Sequence, residues 1–492
     1  MKKVLFRADS SLTIGHGHVM RCLSLAKILV KYGFDVRFIT KDWDGSAHKI
    51  ITNAGFECSI FNQVDKSYIS ENEYENWLGD DEITDAKEML SCLNSKFELL
   101  ILDHYGINKR FEEYVAPHFE NILVIDDLDR EHSCSVILDA TIGKTKENYS
   151  SSKYNKIFTG SNYCLLREEF LLLREKAFKK RLNDKGKKVL VTMGGADVGR
   201  YTFPVVDNLS SDLDVTVVMN EKCLDFEKVS SLCKKKNFSL KSNINFMAKE
   251  ILDADLGIGA AGTSAYERAF LGLPSFIIKT AQNQRDNCNG FIKNDLARCI
   301  ENVKKDEIGG ELKNFIKEIS SPNKYHEISM NNFSEVSGLG LYKALEEIFK
   351  IECFELISAT ESDIEEVFEW QTFPGARKYS RDKKAPSWEE HKKWFLSSLK
   401  NKNRNMFTLR VAKNIPLGFV RVDFGEDISE VSIIISHGYY GQGLGKIALN
   451  LLRNKVEGDL YAFIDEENIP SKKIFEKCGY KMIKPNWYIN KG

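Results

Sequence analysis

Residues 2–18 read KKVLFRADSSLTIGHGH, and residues 19–32 continue VMRCLSLAKILVKY. The run 2–8 is short and apolar, as a buried parallel strand requires. Gly15 and Gly17 then punctuate the chain, and helical apolar periodicity begins at Val19. Strand, glycine-rich turn and helix in direct succession open a doubly wound α/β unit. Met20 stands where a third glycine of G-x-G-x-x-G would fall, which disfavours NAD.

The same alternation continues outward. Residues 35–40, 97–103 (FELLILD) and 121–127 (NILVIDD) are β-rich runs ended by polar residues. The pattern restarts at 187–193 (KKVLVTM), 214–219, 255–259 (DLGIG) and 274–280, with helices predicted over 224–236 and 265–271. The charged stretch 167–184 suits a helical connector between the halves. Two Rossmann-like halves predict a two-lobed α/β fold with a ligand cleft between the lobes. A single doubly wound sheet is the alternative.

Residues 337–350 read as the closing helix of that unit. Beyond Cys353 the pattern changes to a strand at 354–359, a helix at 361–370, and three strands at 406–412, 417–424 and 429–436 resembling an antiparallel meander. A glycine loop, a helix, a strand at 459–465 and a last helix–strand pair follow, which is an α+β domain. The reading divides the chain into 1–180, 181–352 and 353–492.

Composition bounds the function. The 492 residues carry 70 Lys plus Arg against 71 Asp plus Glu, so no overall basic footprint points to nucleic acid or an anionic membrane. No run of 18 apolar residues exists, and the N-terminal apolar stretch is too short for a signal peptide. The eleven cysteines are odd in number, widely spaced and without C-x-x-C. Reduced thiols in the cytosol are expected, with neither a disulfide framework nor a zinc site.

Several residues could carry chemistry. Gly15 and Gly17 let backbone N–H groups approach a pyrophosphate, although a tight turn alone also explains them. His18 starts the helix, whose positive end favours a neutral, proton-accepting imidazole; His16 is the dispensable neighbour. Gly194, Gly195, Gly262, Thr263 and Ser264 offer two further phosphate cradles. Glu267, expected in a first helical turn, can accept from ribose hydroxyls, and Asn283 and Gln284 follow a strand's carboxyl end. His104 and the Asp126-Asp127 pair read as polar strand ends, and no metal is expected.

RADSSLTIGHGHVMRCLSLA, ILDHYGI, IDDL, LREEF, MGGAD, AGTSAYE and QNQ occur in this order. Together they resemble the UDP-sugar hydrolase family of pseudaminic acid biosynthesis, relatives of MurG-type glycosyltransferases with the GT-B fold, over residues 1–350. The resemblance implies cleavage of UDP-2,4-diacetamido-2,4,6-trideoxy-β-L-altropyranose to free sugar and UDP, with His18 as the catalytic residue. Asp9, Arg21 and Tyr105 join the substrate-binding group, Asp9 and Tyr105 as groups that orient the sugar. A glycosyltransferase that passes sugar to an acceptor is the alternative.

In the last domain Tyr440-Gly441-Gln442-Gly443-Leu444-Gly445 follows an apolar strand and opens a helix. Backbone N–H groups of such a loop can wrap a pyrophosphate. Asn468 and Ser471 precede the next helix, where capping explains either. The glycine loop followed by N-x-x-S…F-x-K-x-G-Y resembles the GNAT acetyltransferases over residues 354–492. The resemblance implies acetyl-CoA as co-substrate, bound by residues 441–445, Asn468 and Ser471, with the backbone at Ile433 and Ile435 pairing with pantetheine. Glu430 is a candidate base. Two positions depart from the family pattern: Tyr440 begins the loop, and Phe475 replaces the tyrosine that often protonates the thiolate. A degenerate GNAT domain that only binds acyl-CoA stays open as an alternative. Taken together, the two resemblances imply N-acetylation of the 4-amino group of a UDP-amino-sugar, then hydrolysis.

Overall fold

The computed structural model describes residues 2–11, 13–63, 74–149, 156–183, 186–195, 197, 199–244, 246–301 and 304–492. Residue 184 of the connector and residue 196 of MGGAD lie outside them. The chain divides into two compact units, Met1–Ala344 and Leu345–Gly492.

The first unit holds two parallel sheets. In one, the strands are β1 (Lys3–Ala8), β2 (Asp35–Asp42), β3 (Glu57–Gln63), β4 (Leu99–Asp103), β5 (Asn121–Ile125), β6 (Val136–Asp139) and β7 (Lys156–Thr159). Their order is β3-β2-β1-β4-β5-β6-β7. The other sheet orders β8 (Lys188–Thr192), β9 (Asp214–Val218), β10 (Ser239–Lys241), β11 (Leu256–Ala260), β12 (Ser275–Ile278) and β13 (Ala297–Ile300) as β10-β9-β8-β11-β12-β13. All pairings in both are parallel. The central strands β1 and β4 are almost wholly buried, as strands covered on both faces must be. Strand order reverses between β1 and β4 and again between β8 and β11. At such switch points the connections leave in opposite directions and open a crevice at the carboxyl ends. The two-lobed expectation is met, with five short or edge strands (β3, β6, β7, β10, β13) that the sequence reading did not include.

The connector is the helix Glu168–Asn183, and its charge is not all on the surface. Arg174 and Arg181 are fully buried. Arg174 donates to the carbonyls of Phe270, Phe333 and Val336, and Arg181 to those of Ile251, Ala254 and Leu271. Phe270 and Leu271 end the helix Thr263–Phe270, where unpaired carbonyls and the negative end of the dipole favour a cation. The connector thus fixes the far end of the helix whose beginning faces the crevice.

The second unit is one sheet of β14 (Phe354–Ser358), β15 (Arg404–Val411), β16 (Ile415–Phe424), β17 (Ser429–Ile435), β18 (Leu460–Phe463), β19 (Lys481–Lys484) and β20 (Trp487–Asn490). Its order is β14-β15-β16-β17-β18-β20-β19. Strands β15 to β17 form the expected meander, β14 pairs antiparallel with β15, and only the β17–β18 pairing is parallel. The expected last helix–strand pair is a helix followed by the hairpin β19–β20, turned at Asn486 in the left-handed region. Every residue of β19 is exposed, which left no apolar alternation to read.

One cysteine expectation is corrected. Cys288 and Cys299 are joined by a disulfide, with Cα atoms 5.8 Å apart. The helix Arg285–Lys293 packs back along β13, which brings together two residues 11 apart in sequence.

Gly272 follows the helix Thr263–Phe270 with φ +63°, and a Cβ there would overlap the Phe333 ring. Gly272→Ala is expected to cost about 1–3 kcal/mol of stability, read as a lower urea midpoint.

Candidate functional site

The residues singled out in the first unit lie just beyond the carboxyl ends of β1, β4, β5, β8, β11 and β12. Gly15 has φ +77°, and its N–H donates to the Ser11 carbonyl at 2.9 Å. That tight turn delivers the chain into the helix Gly17–Lys31 with His18 in its first turn.

His18 is buried, and its Nδ1 lies 2.6 Å from Asp103 Oδ1 at the end of β4. Burial would raise the Asp103 pKa, but the charges of Arg21 and His18 outweigh it and hold it well below the usual carboxylate range. An ionised carboxylate only accepts, so Nδ1 carries the proton and Nε2 is the basic nitrogen. The sequence reading weighed only the helix end; the structure adds a carboxylate. Asp103 also accepts from Arg21 Nε (2.5 Å) and Nη2 (2.7 Å) and from the Cys22 thiol. Arg21 Nη1 reaches Asp127 Oδ2 at 3.2 Å. Arg21 therefore braces the two carboxylates.

Tyr105 stands edge-on to His18, with ring centroids 4.5 Å apart. Its hydroxyl donates to Asp127 Oδ1 (2.6 Å) and accepts from Asn283 Nδ2 (3.3 Å) of the other lobe. Trp77 stacks on Tyr105, and Tyr74 meets both rings edge-on. An imidazole walled by aromatic rings suits a ligand with apolar faces. Asp103, Asp127, Tyr74 and Trp77 were not assigned roles from sequence, although Asp103 lay in the quoted ILDHYGI.

Asp9, expected to orient the sugar, is bonded within the lobe. It is fully buried, and its Oδ1 accepts from Arg7, Thr40 Oγ1 (2.9 Å) and the Lys41 N–H (2.8 Å). Its Oδ2 lies 3.4 Å from His104 Nε2. His104 Nδ1 in turn accepts the Gly106 N–H at 3.0 Å. These residues brace the strand ends. No group of three His, Cys, Asp or Glu suited to a metal ion occurs among the described residues.

In the second lobe Gly194 has φ +85°, and a Cβ on Gly195 would lie 3.5 Å from His16 Nδ1. His16 is less buried than His18, and its Nε2 is 3.3 Å from the Gly45 carbonyl. Gly262 caps the helix Thr263–Phe270, which Thr263 and Ser264 begin. A Cβ on Gly262 would lie 3.8 Å from Gln284 Nε2. Gln284 Oε1 accepts from the Thr280 N–H and hydroxyl, which leaves the amide nitrogen towards Gly262. Glu267 is corrected. The helix begins two residues earlier than expected, so Glu267 lies past its first turn, and Arg167 holds its carboxylate at 2.9 Å. Burial raises its pKa.

In the second unit β17 pairs with β16 along its length but with β18 only through Ser429 and Glu430. Beyond Glu430 the two strands diverge, which frees the β18-side backbone edge at Ile433 and Ile435. Gly441 and Gly443 take φ +80° and +78°, and no atom would lie within 4 Å of a Cβ on either. Gly443 caps the helix Leu444–Arg453. Leu444 is buried, and a Cβ on Gly445 would lie 3.2 Å from Ile474, so Gly445 admits the helix Ile469–Lys477. Asn468 caps that helix by accepting the Ser471 N–H at 3.2 Å. Glu430 is ion-paired with Arg381, whose guanidinium lies 4.8 Å from the Phe463 ring centroid and 5.7 Å from that of Trp487. Phe475 is buried against Tyr480.

Three comparisons bear on these sites. Residues 354–481 match the acetyltransferase (GNAT) domain family. Over 239 residues the chain is 30% identical to the UDP-2,4-diacetamido-2,4,6-trideoxy-beta-L-altropyranose hydrolase of Campylobacter jejuni, covering 48% of this chain and 76% of that protein. The chain belongs to the family of that hydrolase. It is also 25% identical, over 98% of its length and 97% of the relative's, to the uncharacterized protein MJ1062 of Methanocaldococcus jannaschii. Among solved structures, Acinetobacter baumannii MurG aligns with 71% of this chain and all of its own at 14% identity, with a TM-score of 0.48. Homology to a UDP-sugar hydrolase and an acetyltransferase domain make the chain, in outline, a bifunctional enzyme.

The loops that carry Asp103 and Asp127 rest on a buried ion network. His132 Nδ1 is 2.6 Å from Glu112 Oε1, and its Nε2 is 3.4 Å from Asp126 Oδ2. Arg130 binds Asp126 and the carbonyls of Tyr105 and Ile107. Burial alone would lower the His132 pKa; hydrogen bonds and charges from Asp126 and Glu112 raise it to about 9. A raised folded-state pKa stabilises fully below the unfolded value, about 6.5, and the contribution is lost as pH rises through about 9. The melting temperature is expected to fall between pH 7 and pH 10, and to fall less in His132→Gln, which starts lower.

Proposed function

We propose that the first unit hydrolyses UDP-2,4-diacetamido-2,4,6-trideoxy-β-L-altropyranose to free sugar and UDP, and that the second N-acetylates the 4-amino group of its UDP-linked precursor with acetyl-CoA. The observation that carries the first half is the His18–Asp103 pair at the strand switch point. Water attacks the anomeric carbon while the bond to the UDP oxygen breaks. His18 Nε2 takes the proton of that water, and Asp103 and Arg21 keep the ring oriented. UDP is a good leaving group and needs no strong acid. Backbone N–H groups near Gly17 and at Gly262 to Ser264 would balance the pyrophosphate charge. Asn283 and Gln284 border the same crevice.

The second half rests on the opened edge of β17 and on the positive φ and open Cβ space at Gly441 and Gly443. The edge pairs with pantetheine amides, and the loop takes the pyrophosphate of acetyl-CoA. Glu430 stands at the fork where β17 and β18 part, so it borders the thioester. To act as base towards the amine it must exchange Arg381 for the substrate. The buried Phe475 and this ion pair favour a second reading of the domain as an acyl-CoA binder without turnover.

A mass-spectrometric time course with the UDP-linked 4-amino sugar, with and without acetyl-CoA, separates these readings. Release of UDP and diacetamido sugar only with acetyl-CoA is expected. Release of UDP without acetylation would count against the ordered pair. With the acetylated substrate, His18→Ala should lose about 10²–10⁴-fold in kcat, and His16→Ala far less. Equal activity in His18→Ala and wild type would remove the hydrolase assignment.

A further inference from the structure

Arg268, on the helix Thr263–Phe270, is fully buried. Its guanidinium meets neutral groups only: Nε donates to Ser275 Oγ (3.2 Å), Nη1 to Ser264 Oγ (3.4 Å) and Nη2 to the Ala260 carbonyl (3.0 Å). Among the described residues no carboxylate forms an ion pair with it. The adjacent Glu267 is held by Arg167. Burial pushes the Arg268 pKa down to about 10, so the group is still charged at neutral pH. A buried cation without a counter-ion is costly, and folds ordinarily avoid it.

The surrounding backbone is shaped to admit this side chain. A Cβ on Gly257 would lie 2.7 Å from Arg268 Cδ, and one on Gly259 would lie 2.6 Å from Nη1. The two glycines are two apart on β11 and so share a face. Their missing side chains form the slot. Within it the guanidinium binds both ends of the loop Ala260 to Ser264, which leads from β11 into the helix Thr263–Phe270. Asn287 Nδ2 ties the middle of the same loop through the Ala261 carbonyl at 3.2 Å.

We infer that Arg268 supplies the fixed positive charge of the second lobe's diphosphate site from beneath the loop, with the ligand's diphosphate as its counter-ion. This rests on the nucleotide reading proposed above. In a low-dielectric interior such a charge acts more strongly on an anion than a solvated lysine does. Arg268 is a positioning residue, because it acts through the loop and the field and has no exposed surface.

Titration calorimetry of the full chain with UDP and with uridine tests it. Arg268→Gln keeps hydrogen-bonding groups without the charge, and Arg268→Lys keeps the charge. In Arg268→Gln the Kd for UDP is expected to rise at least tenfold while that for uridine stays within twofold. Arg268→Lys is expected to recover most of the UDP affinity. Equal losses for UDP and uridine would mean a structural role and overturn the inference. UDP affinity unchanged in Arg268→Gln would overturn it too, with the nucleotide reading intact. A wild-type chain that binds neither ligand would overturn both.

Discussion

The Asp103 carboxylate is the hub of the first unit. It accepts hydrogen bonds from His18, Arg21 and Cys22, all on one helix. Those bonds keep it ionised despite complete burial. Its charge fixes the imidazole tautomer, aligns the helix Gly17–Lys31 with β4, and sends Arg21 on to Asp127. Asp127 then orients Tyr105, which touches Asn283 of the second lobe. A protonated Asp103 would weaken each link in turn, because every one is charge-assisted or depends on one that is.

Much of the architecture is legible in the sequence because parallel strands buried on both faces leave continuous apolar runs. KKVLFRA and FELLILD could hardly be anything else, and the glycine turns mark where strands hand over to helices. What stayed hidden has three physical causes. Pairing across the sheet is long-range: His18 and Asp103 are 85 residues apart, and no local pattern joins them. Charged side chains give no sign of burial, so the connector read only as a charged helix although Arg174 and Arg181 lie inside. Short exposed strands such as β10 and β19 lack the apolar alternation that betrays a strand. The candidate site shows the same division. His18, Tyr105 and the glycine loops follow strand ends, where a sequence reading looks first, whereas the internal bonds of Asp9 to Thr40 and Lys41, the Arg167 pairing of Glu267 and the helix cap at Asn468 leave no local pattern.

The two lobes handle charge in opposite ways. Around His18 cations and carboxylates are interleaved, so the site holds its shape through pairs. In the second lobe the buried guanidinium of Arg268 binds a carbonyl and hydroxyls instead, and the connector's Arg174 and Arg181 reach carbonyls there. Arg174 and Arg181 serve a helix end that is already negative. Arg268 springs from the last turn of that helix, but its guanidinium reaches back to Ser264 and Ala260 at the positive end, where the dipole gives it no help. An anion bound at that end therefore relieves an existing imbalance in addition to gaining its own contacts.

Trp77 lies against Tyr105, with its ring centroid 6.2 Å from that of His18. The chain has no tryptophan between residues 78 and 369. The whole lobe that carries the glycine cradles is therefore dark in intrinsic indole emission, while the His18 crevice holds its own fluorophore. A molecule bound beside His18 would register optically in Trp77, and changes confined to the far lobe would pass unseen.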